Sequence, residues 1–162
     1  TPLMIVLLLL ANDFVTMSLA VDHARPSPRP ERWKVRALVS ASMVLAVVVL
    51  AESFLDLWLA RGVFGLSLRE TQTLIFVMLV FSGQATVYVV RERGHFWKSR
   101  PVNWLLAATC FDVVVVSALA VGGVLMAPLA LPYVLLVLGI AAAFMFVMDP
   151  VKVVVRRRFG LV

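Results

Sequence analysis

Two carboxylates interrupt long apolar runs of this 162-residue chain: Asp13, within Leu3–Val21, and Asp112, within Val102–Gly123. An ionisable side chain at the centre of a membrane helix costs about 2.5–3.5 kcal/mol on insertion scales. It persists where it handles an ion or a proton, or where a neighbouring helix satisfies it by a hydrogen bond. Asp13 is the stronger candidate for ion handling, because Asn12 precedes it and Thr16 follows about one helical turn later. No basic residue lies in the same run, so any counter-charge must come from another helix or chain. For Asp112, an interhelical hydrogen bond and a part in ion transport are equally open. Glu52 and Asp56 share one helical face at a spacing of four. Their place near the end of an apolar run predicts an interfacial pair, reached by water and by Arg61. Gln84, beside Ser82 and Gly83, reads as a polar contact between packed helices.

The remaining reactive side chains point to little chemistry. Cys110 is the single cysteine, so neither an intrachain disulfide nor a cysteine-based metal cluster is expected, and it reads as a small buried hydrophobe. His23 and His95 have no companions at ligand spacing, and no metal site is assigned to them. The chain has no Gly-rich phosphate loop, nucleophile elbow or zinc motif, so no cofactor is expected to bind to it.

The elements that position these acids follow from composition. Apolar residues make up 62% of the chain and charged residues 15%, more apolar surface than a soluble domain of this length can bury. Lipid is the solvent that accepts it. Five runs approach the ~20 residues a spanning helix requires. They cover residues 3–21, 37–60, 72–90, 102–123 and 133–149. Lipid-exposed backbone must satisfy its own hydrogen bonds, and runs such as Val113–Val116 lack the alternation of a barrel strand. The reading is an all-α integral membrane protein, a single membrane domain over 1–162, with Gly122-Gly123 ending the fourth helix.

Charge sets the orientation. Arg25, Arg29, Arg32, Lys34 and Arg36 lie in the connection 22–36, and Arg91, Arg93, Lys98 and Arg100 in 91–101. Lys152, Arg156, Arg157 and Arg158 follow the last run, and only Arg61 and Arg69 of the 15 basic residues fall elsewhere. The positive-inside bias places these three segments in the cytoplasm, Thr1 outside and Val162 inside. The formal charge of +6 thus reads as a topology signal and not as a nucleic-acid surface. Trp33, Trp58, Trp97 and Trp104 fall near span ends, where an aromatic belt sits. In Arg25–Pro30, proline at every second position rules out helix and predicts a stiff solvated connector. Thr1-Pro2 leads straight into apolar sequence without a basic flank, which does not fit a secretory signal and suggests a processed chain or the tail of a longer one.

One long stretch carries a resemblance. Ala11 to Ser18 (Ala-Asn-Asp-Phe-Val-Thr-Met-Ser), then Asp22, then Arg25-Pro26-Ser27-Pro28-Arg29-Pro30-Glu31, then Trp33-Lys34, resembles the P-type proton-pumping ATPases. In that family an Asn-Asp pair lies in the sixth transmembrane helix, followed by an Asp, a basic residue, Pro-Ser-Pro and Trp-Lys. Further on, Gln84 with Arg91 and Arg93 is similar to the end of the eighth helix. Arg100-Pro101 is similar to the start of the ninth, and Asp149, Lys152 and Arg156 to the end of the tenth. The chain departs from plant and fungal members at Phe14, where they have Gly.

The resemblance implies that the five spans are helices six to ten of a plasma-membrane pump. Asp13 would carry the transported proton and Asn12 would hold its protonated form, with Asp112 a further ion-binding candidate outside the motif. It further implies partners: the lipid bilayer, and an N-terminal half holding helices one to five and the cytoplasmic domains that use ATP and Mg2+. Potassium and magnesium pumps share this architecture. Two other readings stay open, a free-standing non-enzymatic membrane subunit and a small secondary transporter using Asp13 and Asp112 as a proton relay.

Overall fold

The computed structural model describes residues 2–19, 35–92 and 94–158, with the side chains of 36–38 excepted. His23, the connector 25–30 and Trp33 lie outside the described residues. Five helices make up the bundle: α1 (Pro2–Leu19), α2 (Val35–Trp58), α3 (Leu68–Arg91), α4 (Asn103–Gly122) and α5 (Leu131–Arg158). A π-helical turn, Leu59–Val63, prolongs α2, and a single 3-10 turn, Phe96–Lys98, lies between α3 and α4. All five helices are long and apolar enough to cross a membrane, and no strand occurs among the described residues. The chain is a multi-pass, all-helical membrane protein.

Helix α3 is the axis of the bundle and packs against the other four. Its start is fixed by a capping box: Glu70 N–H donates to Ser67 Oγ, while the Glu70 carboxylate accepts from the Ser67 backbone N–H at 2.9 Å. Along its length Leu74, Phe76, Val77, Met78, Val80 and Phe81 are all buried, over more than half of the helix circumference, while Gln72, Leu79 and Val90 are exposed on the remaining side. The outer helices instead keep one buried stripe each and turn large apolar residues such as Met17, Val47, Val114 and Val154 outward. Such faces are stable in hydrocarbon, where association rests on close packing and polar contacts more than on hiding apolar area. Trp58, Trp97 and Trp104 are exposed at helix ends or in the adjoining turn.

Helix α4 ends at the Gly122-Gly123 pair, as its sequence implies, whereas α5 outruns its apolar stretch. Gly123 closes α4 in the left-handed region at φ 66°, its N–H bonded to Leu119 O. A Cβ there would sit 3.1 Å from Pro128 Cβ. Gly123→Ala is therefore expected to cost roughly 1–2 kcal/mol, read as a lower unfolding midpoint in detergent. The apolar stretch of α5 ends at Asp149, but the helix runs on through Pro150 to Arg158. It continues because the polar groups that follow find partners inside the fold. Asp149 is fully buried, and Lys152, one turn later, is 2% exposed. Lys152 Nζ donates to Asp149 Oδ1 at 2.9 Å and to Val89 O at 2.7 Å. Asp149 also accepts from Phe96 N–H at 3.0 Å, and His95 Nδ1 lies 2.6 Å from its other oxygen. Arg91 donates to Ser99 O at 2.8 Å within the same corner. The α3–α4 connection is thereby clamped onto the basic end of α5.

Cys110 departs from expectation. It is exposed on α4, not buried. A small apolar thiol is as well solvated by lipid as by a core, so membership of an apolar run does not decide which way it faces.

Candidate ion-binding site

Three consecutive residues of α3, Ser82, Gly83 and Gln84, organise the polar contacts in the middle of the bundle. Successive positions on a helix are turned by about 100°, so each side chain meets a different neighbour. Ser82 Oγ donates to Glu52 Oε1 of α2 at 2.6 Å. Gln84 Nε2 donates to Asp112 Oδ2 of α4 at 2.9 Å. Gly83 faces α1, where a Cβ would lie only 2.6 Å from Asn12 Oδ1. The glycine is thus what lets the Asn12 amide sit against the α3 backbone. Because the clashing atom is the end of a side chain, Gly83→Ala should displace that amide more than it unfolds the bundle. A stability loss no larger than the ~1–3 kcal/mol of an overpacking substitution is expected, with a changed Asn12 environment visible in amide infrared or NMR signals.

The sequence-predicted residues occupy different surroundings. Helix α1 buries Met4, Ala11, Val15 and Ser18 against the bundle. Asp13 is two positions from both Ala11 and Val15, about 200° round the helix, and is exposed together with Phe14 and Met17. Asn12 is half-buried, and its backbone carbonyl accepts from Thr16 Oγ1 at 2.7 Å. Asp112 is 6% exposed and paired with Gln84, whose other amide atom, Oε1, is buried without a hydrogen bond. No hydrogen bond joins Asp13, Asn12 and Asp112 among the described residues. The helices that carry them do touch, through Phe14 and Phe111, whose ring centroids are 5.9 Å apart.

Glu52 and Asp56 correct the expectation drawn for them. They are not an interfacial pair bathed in water: each is 1% exposed. Arg61 is exposed on the π-turn and forms no ion pair with either among the described residues. Both acids lie on the one stripe of α2 that faces protein, while Leu50, Phe54 and Leu57 face out. The polar clamp His95–Asp149–Lys152 was also not foreseen. The i,i+3 spacing of Asp149 and Lys152 is the local signal that could have found part of it, but His95 lies 54 positions away in sequence.

Comparison with known proteins agrees with this architecture. Residues 1–154 match the family described as cation transporting ATPase, C-terminus. A Methanocaldococcus jannaschii protein named as a cation-transporting ATPase is 29% identical over 162 residues, covering 99% of this chain and 20% of that protein. Plasma membrane ATPase 1 of Saccharomyces cerevisiae is 26% identical over 119 residues, 72% of this chain and 13% of the yeast protein. A Leishmania donovani protein named as a proton ATPase is 25% identical over 134 residues, 73% of this chain and 14% of its own length. The chain therefore spans about a fifth or less of the relatives it matches. The resemblance to the C-terminal membrane half of P-type ATPases is borne out, and the chain belongs to the cation-transporting ATPase C-terminal family.

Proposed function

We propose that this chain is the C-terminal transport region, helices six to ten, of an ATP-driven P-type pump that exports protons across the plasma membrane. Asp13 is the carboxylate that carries the ion, with Asn12 beside it and Asp112 a secondary polar site. The observation that supports this reading is the position of Asp13: mid-helix, in an apolar run, on the face of α1 turned away from the bundle. Left against lipid, a carboxylate there would cost about 2.5–3.5 kcal/mol. That face is instead covered by the helices of the N-terminal half, which supply its counter-charge. In this arrangement Asp13 lies at the seam between the two halves, where a relative movement of helices changes the side from which it is reached.

The three basic segments face the cytoplasm and Thr1 the outside, in keeping with the positive-inside bias. ATP and Mg2+ act in cytoplasmic domains outside this chain. The energy they deliver must exceed about 2.3 kcal/mol per charge for each 100 mV of opposing potential. Proton specificity rests on the Asn12-to-Lys34 resemblance and on the names of the relatives. Reconstituting the complete pump in sealed vesicles tests it. ATP should acidify the lumen in the absence of K+ gradients, and ATP-driven uptake of K+ or Mg2+ without acidification would refute the proton reading.

A further inference from the structure

We propose that Glu52 and Asp56 form a second proton-binding site, on the buried face of α2 and separate from Asp13. The spacing of four puts both carboxyls on one face of α2, and that face is the buried one. Their partners are too few for two anions. Glu52 has the Ser82 hydroxyl, a neutral donor, at 2.6 Å. Asp56 has both oxygens shut away from solvent without a hydrogen bond, to Glu52 or to anything else among the described residues.

The charges on the elements packed against α2 do not fill the gap. On α3, Arg69 is exposed, Glu70 is engaged in the Ser67 capping box and Arg91 binds Ser99 at the opposite end. On α5, Asp149 and Lys152 are satisfied by each other and by His95, Phe96 and Val89. Arg156 donates to Glu92 O, and Arg157 and Arg158 are exposed. Arg61, on the π-turn, is exposed as well. Among the described residues, the ionisable group that shares the buried face of α2 with Asp56 is Glu52, another acid.

Two adjoining carboxylates without a cation cannot stay ionised in a low-dielectric interior. A buried charge is either paired or neutralised, and two interacting acids exchange protons as a unit. The smallest ligand that lowers this charge is a proton: one, held on Asp56 with its two unpartnered oxygens, takes the pair from two negative charges to one, and a second on Glu52 removes the rest. Glu52 keeps the Ser82 bond. The site is one residue along α3 from the Gly83–Asn12 contact, so its occupancy is felt at the helix that carries Asp13. The inference stands whether or not Asp13 carries the pump's ion.

Infrared spectroscopy of the full-length protein carrying this chain, reconstituted in lipid at neutral pH, tests the proposal. The wild type should show a protonated-carboxyl C=O band that shifts in D2O. It should be absent from the Glu52→Gln/Asp56→Asn variant and retained in Asp13→Asn. Added Na+, K+ or Mg2+ at fixed pH should leave it unchanged. Identical spectra for wild type and the double variant would overturn the proposal, as would loss of the band on adding any of those cations. Should the double variant fail to fold, dicyclohexylcarbodiimide, which couples to protonated carboxyls, provides a readout on the wild type. An adduct at Asp56 or Glu52 that disappears at alkaline pH supports the site. Complete resistance of both residues at every pH, with the protein opened in mild detergent, refutes it.

Discussion

Replacing Asp13 by Asn in the complete pump is expected to reduce ATP-driven ion movement to background. The substitution keeps the volume of the side chain and its hydrogen-bonding edge, so the helix should insert and pack as before. Only the exchangeable charge is lost. Asp13 is exposed from this bundle and makes no hydrogen bond among the described residues, so it adds little to the packing of α1. The buried stripe Met4, Ala11, Val15 and Ser18 stays intact. The prediction is therefore sharp: normal expression and an unchanged unfolding midpoint, with transport abolished. Asp112→Asn provides the contrast. It keeps a partner for Gln84 and sits away from the uncovered face, so transport should be weakened and not eliminated. Wild-type pumping by Asp13→Asn, measured as vesicle acidification, would remove Asp13 from the transport path.

The largest effect on stability is expected at the other end of the molecule. Asp149→Ala leaves the Lys152 ammonium 2% exposed, with the Val89 carbonyl its sole remaining acceptor among the described residues. Stranding one partner of a buried pair in this way costs about 3–5 kcal/mol. The same change removes the acceptor of the Phe96 N–H and of His95, so the 94–99 connection loses its anchor. Two measurements follow: a marked fall of the unfolding midpoint in detergent, and faster tryptic cleavage after Lys98, which is already exposed and is followed by Ser99. Pairing Asp149→Leu with Lys152→Met should recover most of the stability, because apolar residues of similar size often replace a buried ion pair without loss. It should not restore protection of the connection. If the double variant is as unstable as the single one, the cost lies in lost packing and not in the stranded charge.

How far the sequence can be read depends on the solvent each helix meets. The five helices and their membrane character follow from run length and composition alone. The rotation of each helix does not. In water a helix announces its buried face by contrast, apolar against polar. Around α2 nearly every side is apolar, because lipid accepts what a core accepts, so nothing marked the stripe of Glu52 and Asp56 as the inward one. Arg61, nearby in sequence, suggested an exposed pair, but both acids are buried and Arg61 points elsewhere. Cys110 was misplaced for the same reason. α3 is different: its serine, glycine, glutamine and threonines mark a helix in contact with protein over most of its surface, and Gln84 was correctly read as a contact between helices. The Asp149 corner could not be assembled from local spacing, since His95 and Val89 reach it from distant parts of the chain.

The adjacency of Ser82, Gly83 and Gln84 has a mechanical consequence. These residues hold α2, α1 and α4 at three bearings of one helix, all within a rise of about 3 Å. Such a helix behaves as a keyed spindle. It cannot turn or slide by even one residue without releasing all three neighbours at once. Any stroke that shifts α1 must then either carry α3, and with it α2 and α4, as a single rigid block, or part at the Asn12–Gly83 face. That face is the weakest of the three couplings, because it is a fit of shape and not a hydrogen bond.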